Sequence, residues 1–332
     1  MSEPAPEKPK RRPRYAGKNP RHFSQKYKEH QPEYYADDVA KILSSGKTPA
    51  GTHRPIMVRE ILDILAPKPG DLIADCTLGY GGHARELLAA IQPGGHLIGL
   101  DTDPLELPKT EDRLRALGFG PDTFTAHRTN YAGLTKILPA PADAILADLG
   151  LSSMQIDNPE RGCTYKHDGP LDLRMNPERG QPASALLSTL DEKRLAALLT
   201  ENADEPNATP LACALLRTPI ATTTHLVKTI RTAGGDDDTV RRVFQALRIA
   251  VNDEFSALDT FLRQLPLCLK PGGRVAILSF HSGEDRRVKK AFQAGQRDGT
   301  YRDVSPDIIR PTAEETRANS RASSAKLRWA IR

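Results

Sequence analysis

Asp75-Cys76-Thr77-Leu78-Gly79-Tyr80-Gly81-Gly82-His83 closes one apolar run, Leu72–Cys76, and opens a helical pattern, Ala84–Ile91. Glycine fills three of the four positions from 79 to 82. Only glycine bends a backbone that sharply and still lets a ligand reach the main chain. A second apolar run, His96–Leu100, ends on Asp101 of Asp101-Thr102-Asp103. A carboxylate at the tip of the second strand is where an α/β fold grips ribose hydroxyls. The two features together place a nucleoside-bearing cofactor over the edge of a parallel sheet.

Outward from this turn, strand-like runs recur at Thr123–His127 and Ala144–Ala147, with a helical pattern at Lys109–Leu117. Strand and helix in alternation predict a doubly wound, mostly parallel sheet. The rhythm stops at Gly150. From there to about Thr239 no strand pattern appears, and Arg161–Gly180 reads as loop. Short helices follow. Thr189-Leu190-Asp191-Glu192 has the form of a capping box, and Thr209-Pro210 places proline at a helix's first position. Apolar residues from Val240 to Leu265 keep helical spacing and predict one long amphipathic helix. Pro271-Gly272-Gly273 turns into a strand at Arg274–Phe280, and a last strand, Lys326–Ile331, is expected to pair near Asp303–Ile309. Glu33–Leu43 reads as a short helix.

The chain has 332 residues, 38% of them apolar, and a mean hydropathy of −0.49, enough for a sizeable core. No apolar run approaches the roughly 20 residues of a membrane span, and the N-terminus lacks the apolar stretch of a secretory signal. Cys76, Cys163, Cys213 and Cys268 are widely spaced, so reduced thiols in a cytoplasmic protein are expected. The net charge of +5 is unevenly placed. Residues 1–28 carry nine Lys or Arg against two Glu, leaving the remainder at −2. Basic residues gather again from Pro271 to Arg332, thirteen against seven acidic. A basic, proline-rich tail of this kind is expected to be disordered and drawn to a polyanion such as RNA.

Gly79-Tyr80-Gly81-Gly82-His83-Ala84 also fits the dinucleotide fingerprint, so alone it does not separate nicotinamide cofactors from S-adenosylmethionine. Asp75 ending the first strand, Asp101 ending the second and Asp148-Leu149-Gly150 after the fourth favour the latter. Asp148-Leu149-Gly150-Leu151-Ser152-Ser153-Met154-Gln155 is followed by Asn158-Pro159-Glu160-Arg161-Gly162, then Asp168-Gly169-Pro170-Leu171-Asp172-Leu173-Arg174-Met175. Phe244-Gln245-Ala246-Leu247-Arg248-Ile249, Ser279-Phe280-His281-Ser282 and Ser324-Ala325-Lys326-Leu327-Arg328 complete the series. This ordered set resembles the bacterial small-subunit rRNA cytosine-N4 methyltransferases, the RsmH (MraW) type, from about His53 to Arg328.

The resemblance implies an α/β, class I SAM-dependent methyltransferase, Rossmann-like with a mostly parallel sheet and a helical insertion. It implies N4-methylation of one cytosine in the decoding centre of 16S rRNA, with S-adenosylmethionine as cofactor and the small ribosomal subunit as partner. The expected division is a basic extension at 1–50, a methyltransferase domain at 51–150 and 240–332, and an inserted recognition domain at 151–239. Cofactor contacts carried over by resemblance fall on Gly81, Gly82, His83, Asp101, Tyr131, Asp148 and Gln155, with Tyr131 standing where the family often has phenylalanine. Asp148 is also the candidate catalytic residue, an acceptor for the cytosine amine. His83 reads as a cofactor or capping contact, His281 as a base contact or a packing residue. Asp168 and Asp172 read as pocket or loop-capping groups, and Asp236-Asp237-Asp238 as a helix N-terminus. No metal is expected. Two other readings stay open: a nicotinamide-dependent oxidoreductase, and an RNA-binding assembly protein that retains an ancestral pocket.

Overall fold

The computed structural model describes residues 55–332; the basic extension and Glu33–Leu43 lie outside them. Helix α1 (Val58–Leu65) precedes β1 (Leu72–Asp75), α2 (Gly82–Ala90), β2 (His96–Asp101), α3 (Leu107–Ala116) and β3 (Phe124–Arg128). A short 3-10 turn (Tyr131–Gly133) and α4 (Leu134–Ile137) lead into β4 (Ala142–Asp148). Then come α5 (Ser153–Asp157), α6 (Ala183–Thr189), α7 (Glu192–Ala203), α8 (Ala208–Leu215), α9 (Thr223–Thr232), α10 (Asp237–Asn252) and α11 (Glu254–Cys268). The chain finishes with β5 (Leu269–Ser279), α12 (Ser282–Arg297), β6 (Asp303–Val304), α13 (Ala313–Ala318) and β7 (Lys326–Ile331).

The strands form one seven-stranded sheet in the order β3-β2-β1-β4-β5-β7-β6. The first five are parallel, while β7 runs antiparallel to both β5 and β6. Strand periodicity divides the core. Ile73, Ala144, Leu146, Ala276 and Leu278 face α1 and α2, whereas Ala74, Ile145, Ala147, Val275 and Ile277 face α11 and α12. Burial on both faces is what a parallel sheet requires. The order reverses between β1 and β4, and ligands of open α/β sheets bind at the carboxyl edge of such a switch point. Asp75, Asp101 and Asp148 all end strands at that edge.

A third apolar cluster, from Leu171 to Leu247, is built by α6 to α10 between β4 and β5. The expected long helix is two. Asp253 adopts a left-handed conformation (φ 50) that ends α10 and starts α11. The apolar spacing runs through the break because α10 packs in the third cluster while α11 packs under the sheet. Two helix starts also differ from expectation. Asp191, not Thr189, caps α7 by accepting from Arg194 N at 2.8 Å. Pro210 sits at the third position of α8, within the first turn, where a missing N–H removes no helical bond. Asp236 caps α10 as expected. Pro271-Gly272-Gly273 forms a bulge inside β5, between Leu269, paired with Ala142, and Arg274, paired with Ala144.

Candidate active site

The glycine turn is held from beneath. Gly79 N donates to Asp101 Oδ2 at 2.8 Å, and Thr110 Oγ1 donates to Gly79 O at 2.5 Å. Gly81 has φ 74 and caps α2, and a Cβ there would meet Thr110 and Leu114 at 3.1–3.3 Å. A Cβ on Gly82 would press on Pro55 at 3.1 Å. Gly81 is therefore required by the left-handed turn and by the close approach of α3, and Gly82 by the close approach of Pro55. Asp101 also accepts from Asp103 N at 2.9 Å, so one carboxylate fixes both cofactor-side loops.

His83 opens α2 almost fully buried. Its Nε2 faces the Ile56 carbonyl at 2.9 Å; a carbonyl can only accept, so this nitrogen carries the proton. The Nδ1 lone pair then looks towards Asp148 Oδ2 at 3.7 Å. Burial holds the His83 pKa below its ordinary value. His83 is thus a neutral neighbour of Asp148 and not a charge partner.

Asp148 ends β4, its backbone N–H held by Thr77 Oγ1 at 2.6 Å. About a quarter of its side chain is exposed (27 %), yet Oδ1 is inaccessible and has no hydrogen-bond partner. Burial, with the negative Glu284 nearby, lifts its carboxyl to about 7. Asp75 is lifted to about 6, chiefly by burial, and Asp101 upward for the same reason. The edge therefore holds three carboxyl groups destabilised as anions, Asp75 buried within it and Asp101 and Asp148 partly exposed. That environment suits a ligand bringing positive charge.

The remaining expected contacts are placed differently. Tyr131 packs on Phe261 with ring centroids 5.3 Å apart, and its hydroxyl lies 3.5 Å from Glu254 O. Gln155 donates to Asp103 Oδ2 at 2.8 Å and accepts from Ser152 N at 3.0 Å, so its amide is engaged within the protein. Asp168 accepts from Thr224 on the surface, and Asp172 forms a two-point pair with Arg174 at 2.7 Å. Both fix loops. His281 caps α12: its Nδ1 accepts from Glu284 N, while the Glu284 carboxylate accepts from Phe280 N at 2.9 Å.

Two groups escape the sequence reading. The first is a buried pair: Arg161 Nη2 reaches Asp103 Oδ1 and Oδ2 at 2.8 and 2.6 Å, tying the loop after α5 to the tip of β2. The second is a polar joint between the sheet and α10. Arg248 forks onto Glu254 at 2.8 and 2.9 Å, and His281 Nε2 lies 3.1 Å from Glu284 Oε1. Ligand atoms of Glu254, His281 and Glu284 lie within 4.8 Å of one another. The Arg248 fork engages both oxygens of Glu254, while His281 Nε2 is buried without a hydrogen-bond partner among the described residues. Burial pushes Glu284 up, but the His281 ring and Arg248 outweigh it and hold the carboxyl below its ordinary value. The sequence signal was charged residues inside an apolar helical repeat.

A parallel sheet with one reversed strand, a glycine turn over its switch point and carboxylates on the first, second and fourth strand tips define a class I methyltransferase. The chain belongs to the MraW methylase family, whose profile matches residues 50–332. It is 50% identical to Ribosomal RNA small subunit methyltransferase H 2 of Alkaliphilus metalliredigens, over 98% of each chain. It is 49% identical to Ribosomal RNA small subunit methyltransferase H 1 of Lachnoclostridium phytofermentans, over 97% of this chain and 93% of that one. Agathobacter rectalis has a further Ribosomal RNA small subunit methyltransferase H 1, 48% identical over 97% of each.

Proposed function

We propose that this chain transfers a methyl group from S-adenosylmethionine to N4 of one cytosine in the decoding centre of 16S rRNA, working on the small ribosomal subunit in the cytoplasm. The observation that carries the reading is Asp148: a carboxylate at the β4 tip, one oxygen buried without a partner, beside the glycine turn.

The cofactor fits the residues present. Gly81 holds the left-handed turn that opens α2, and Asp101 stands at the ribose position at the tip of β2. When bound, the sulfonium supplies an electrophilic methyl group. The chain's own residues do the rest. Asp148 accepts an N–H of the exocyclic amine, drawing its lone pair out of conjugation and taking up the proton as the N–C bond forms. A carboxyl held near 7 is matched to that duty at neutral pH. His83, neutral and anchored to Ile56 O through its Nε2 proton, packs beside Asp148 with Nδ1 3.7 Å from Oδ2 and donates no hydrogen bond to it. The helices between β4 and β5 form the recognition unit that holds RNA around an extruded base.

The test is mass spectrometry of 16S rRNA from unmethylated subunits incubated with the protein and S-adenosylmethionine. A single N4-methylcytosine in the decoding region is expected. Methylation elsewhere, or none, overturns the reading.

A further inference from the structure

Helix α12 leaves the catalytic edge directly, starting three residues after β5 ends, and it is strongly sided. Glu284, Val288, Phe292 and Gly295 are buried at helical spacing. The opposite face carries Arg286, Lys289, Lys290, Gln293 and Arg297, all exposed. From Arg286 to Arg297 every exposed side chain on this helix is basic or uncharged. The helix has two acidic residues, and both turn inward. Glu284 accepts from Phe280 N, and Asp285 pairs with Arg328 at 2.7 Å. Asp298, just past the helix end, accepts from Thr300 N at 3.0 Å. Among the described residues only Arg286 of the stripe has a carboxylate within salt-bridge distance, that of Asp204 at 2.9 Å. Asp204 ends α7, so the stripe begins where the inserted helices meet the sheet.

We propose that the exposed face of α12 is a phosphate track, taking the RNA backbone that flanks the target base out of the cleft. The inference rests on the rRNA reading above and adds where the strand runs. Sixteen residues span about 24 Å, long enough for several phosphates. The face bears no Trp, Phe or Leu, so it lacks the apolar half that a membrane-lying helix needs. Sequestering both carboxylates while exposing only cations is what binding to a polyanion requires. A solvated helix face needs no such sorting of sign.

The test uses the full chain and small-subunit particles lacking the modification. Lys289→Gln, Lys290→Gln and Arg297→Gln are combined, and particle binding is followed from 50 to 200 mM salt. Three lost phosphate contacts should reduce the log–log salt slope by about two to three. The affinity lost over that salt range then shrinks roughly 20- to 40-fold. S-adenosylmethionine affinity and the methylated cytosine at low salt should not change. The control combines Lys68→Gln, Lys136→Gln and Lys270→Gln, exposed cations at the opposite ends of β1, β4 and β5. An unchanged slope in the α12 variant overturns the track, as does an equal fall in the control. Failure of the unaltered protein to methylate the particle would instead sink the rRNA reading, so the two failures are distinguishable.

Discussion

The proton of Asp148 links the fold's stability to the catalytic role proposed for it. Its carboxyl is raised to about 7 in the folded, unliganded protein against 3.8 in an unfolded chain. A raised pKa stabilises the fold fully below the unfolded value, and that contribution is lost as pH climbs through about 7. Asp148→Asn removes the titration, so it should stabilise the unliganded protein by up to about 4 kcal/mol at pH 8 and by less than about 1 kcal/mol at pH 4. Urea unfolding at the two pH values checks this; an equal difference at both would rule it out. On the proposed role of Asp148 as proton acceptor, the same group governs the rate. In wild type kcat/KM should fall below about pH 7, the free-enzyme carboxyl value, while the variant should be slow throughout and lack that limb. Asp101 is different in kind, because it already holds Gly79 N and Asp103 N. Asp101→Ala should weaken S-adenosylmethionine binding about ten- to hundredfold by calorimetry, losing ribose bonds and loop geometry together. Residues at strand tips were readable in sequence because strand, turn and carboxylate are contiguous. Arg161 and Asp103 were not, since 58 residues separate them and no local pattern links a loop arginine to a β2 carboxylate.

At the level of elements, β1, β2 and β4 announced themselves by apolar runs closed by aspartate, and the structure places them with the other strands in one sheet. The joint at Asp253 stayed hidden. Apolar residues on α10 and α11 keep one spacing across it, although the helices serve different cores, and only the Asn252-Asp253 pair marks a left-handed break. The loop from Asn158 to Met175 likewise shows no period, because polar bonds shape it. Its anchor gives a test. Asp103→Ala strands the Arg161 guanidinium in a buried site and should cost about 3–5 kcal/mol. Adding Arg161→Met should return part of that loss, since the uncompensated charge goes with it. A double-mutant cycle by urea unfolding measures the coupling; additive losses would show that the pair does not act as a unit.

Over the whole molecule, charge and shape divide the work of finding RNA. Residues 1–28 hold nine cations against two anions, while the remaining chain sums to −2. Composition reveals that imbalance directly; it does not reveal the sided face of α12, which emerges only once Glu284 and Asp285 turn inward. A tail of this charge attracts phosphate without reading sequence, whereas site choice needs a surface of fixed shape, the role proposed above for the helices between β4 and β5. Deleting residues 1–28 should therefore weaken particle binding and flatten its salt dependence. Each lost phosphate contact lowers the slope by about 0.7–0.9. S-adenosylmethionine affinity and the methylated position should stay as they are, because the hydrogen-bond partners described for Asp101 and Asp148 are Gly79, Asp103 and Thr77, all far from the tail in sequence. Salt titrations with the truncated protein, followed by mapping of the modified base, measure both halves. If truncation moves the modification to another cytosine, the tail takes part in selection and the division is wrong. If the slope is unchanged, the tail's cations do not meet the backbone, and the attraction must come from the folded surface alone.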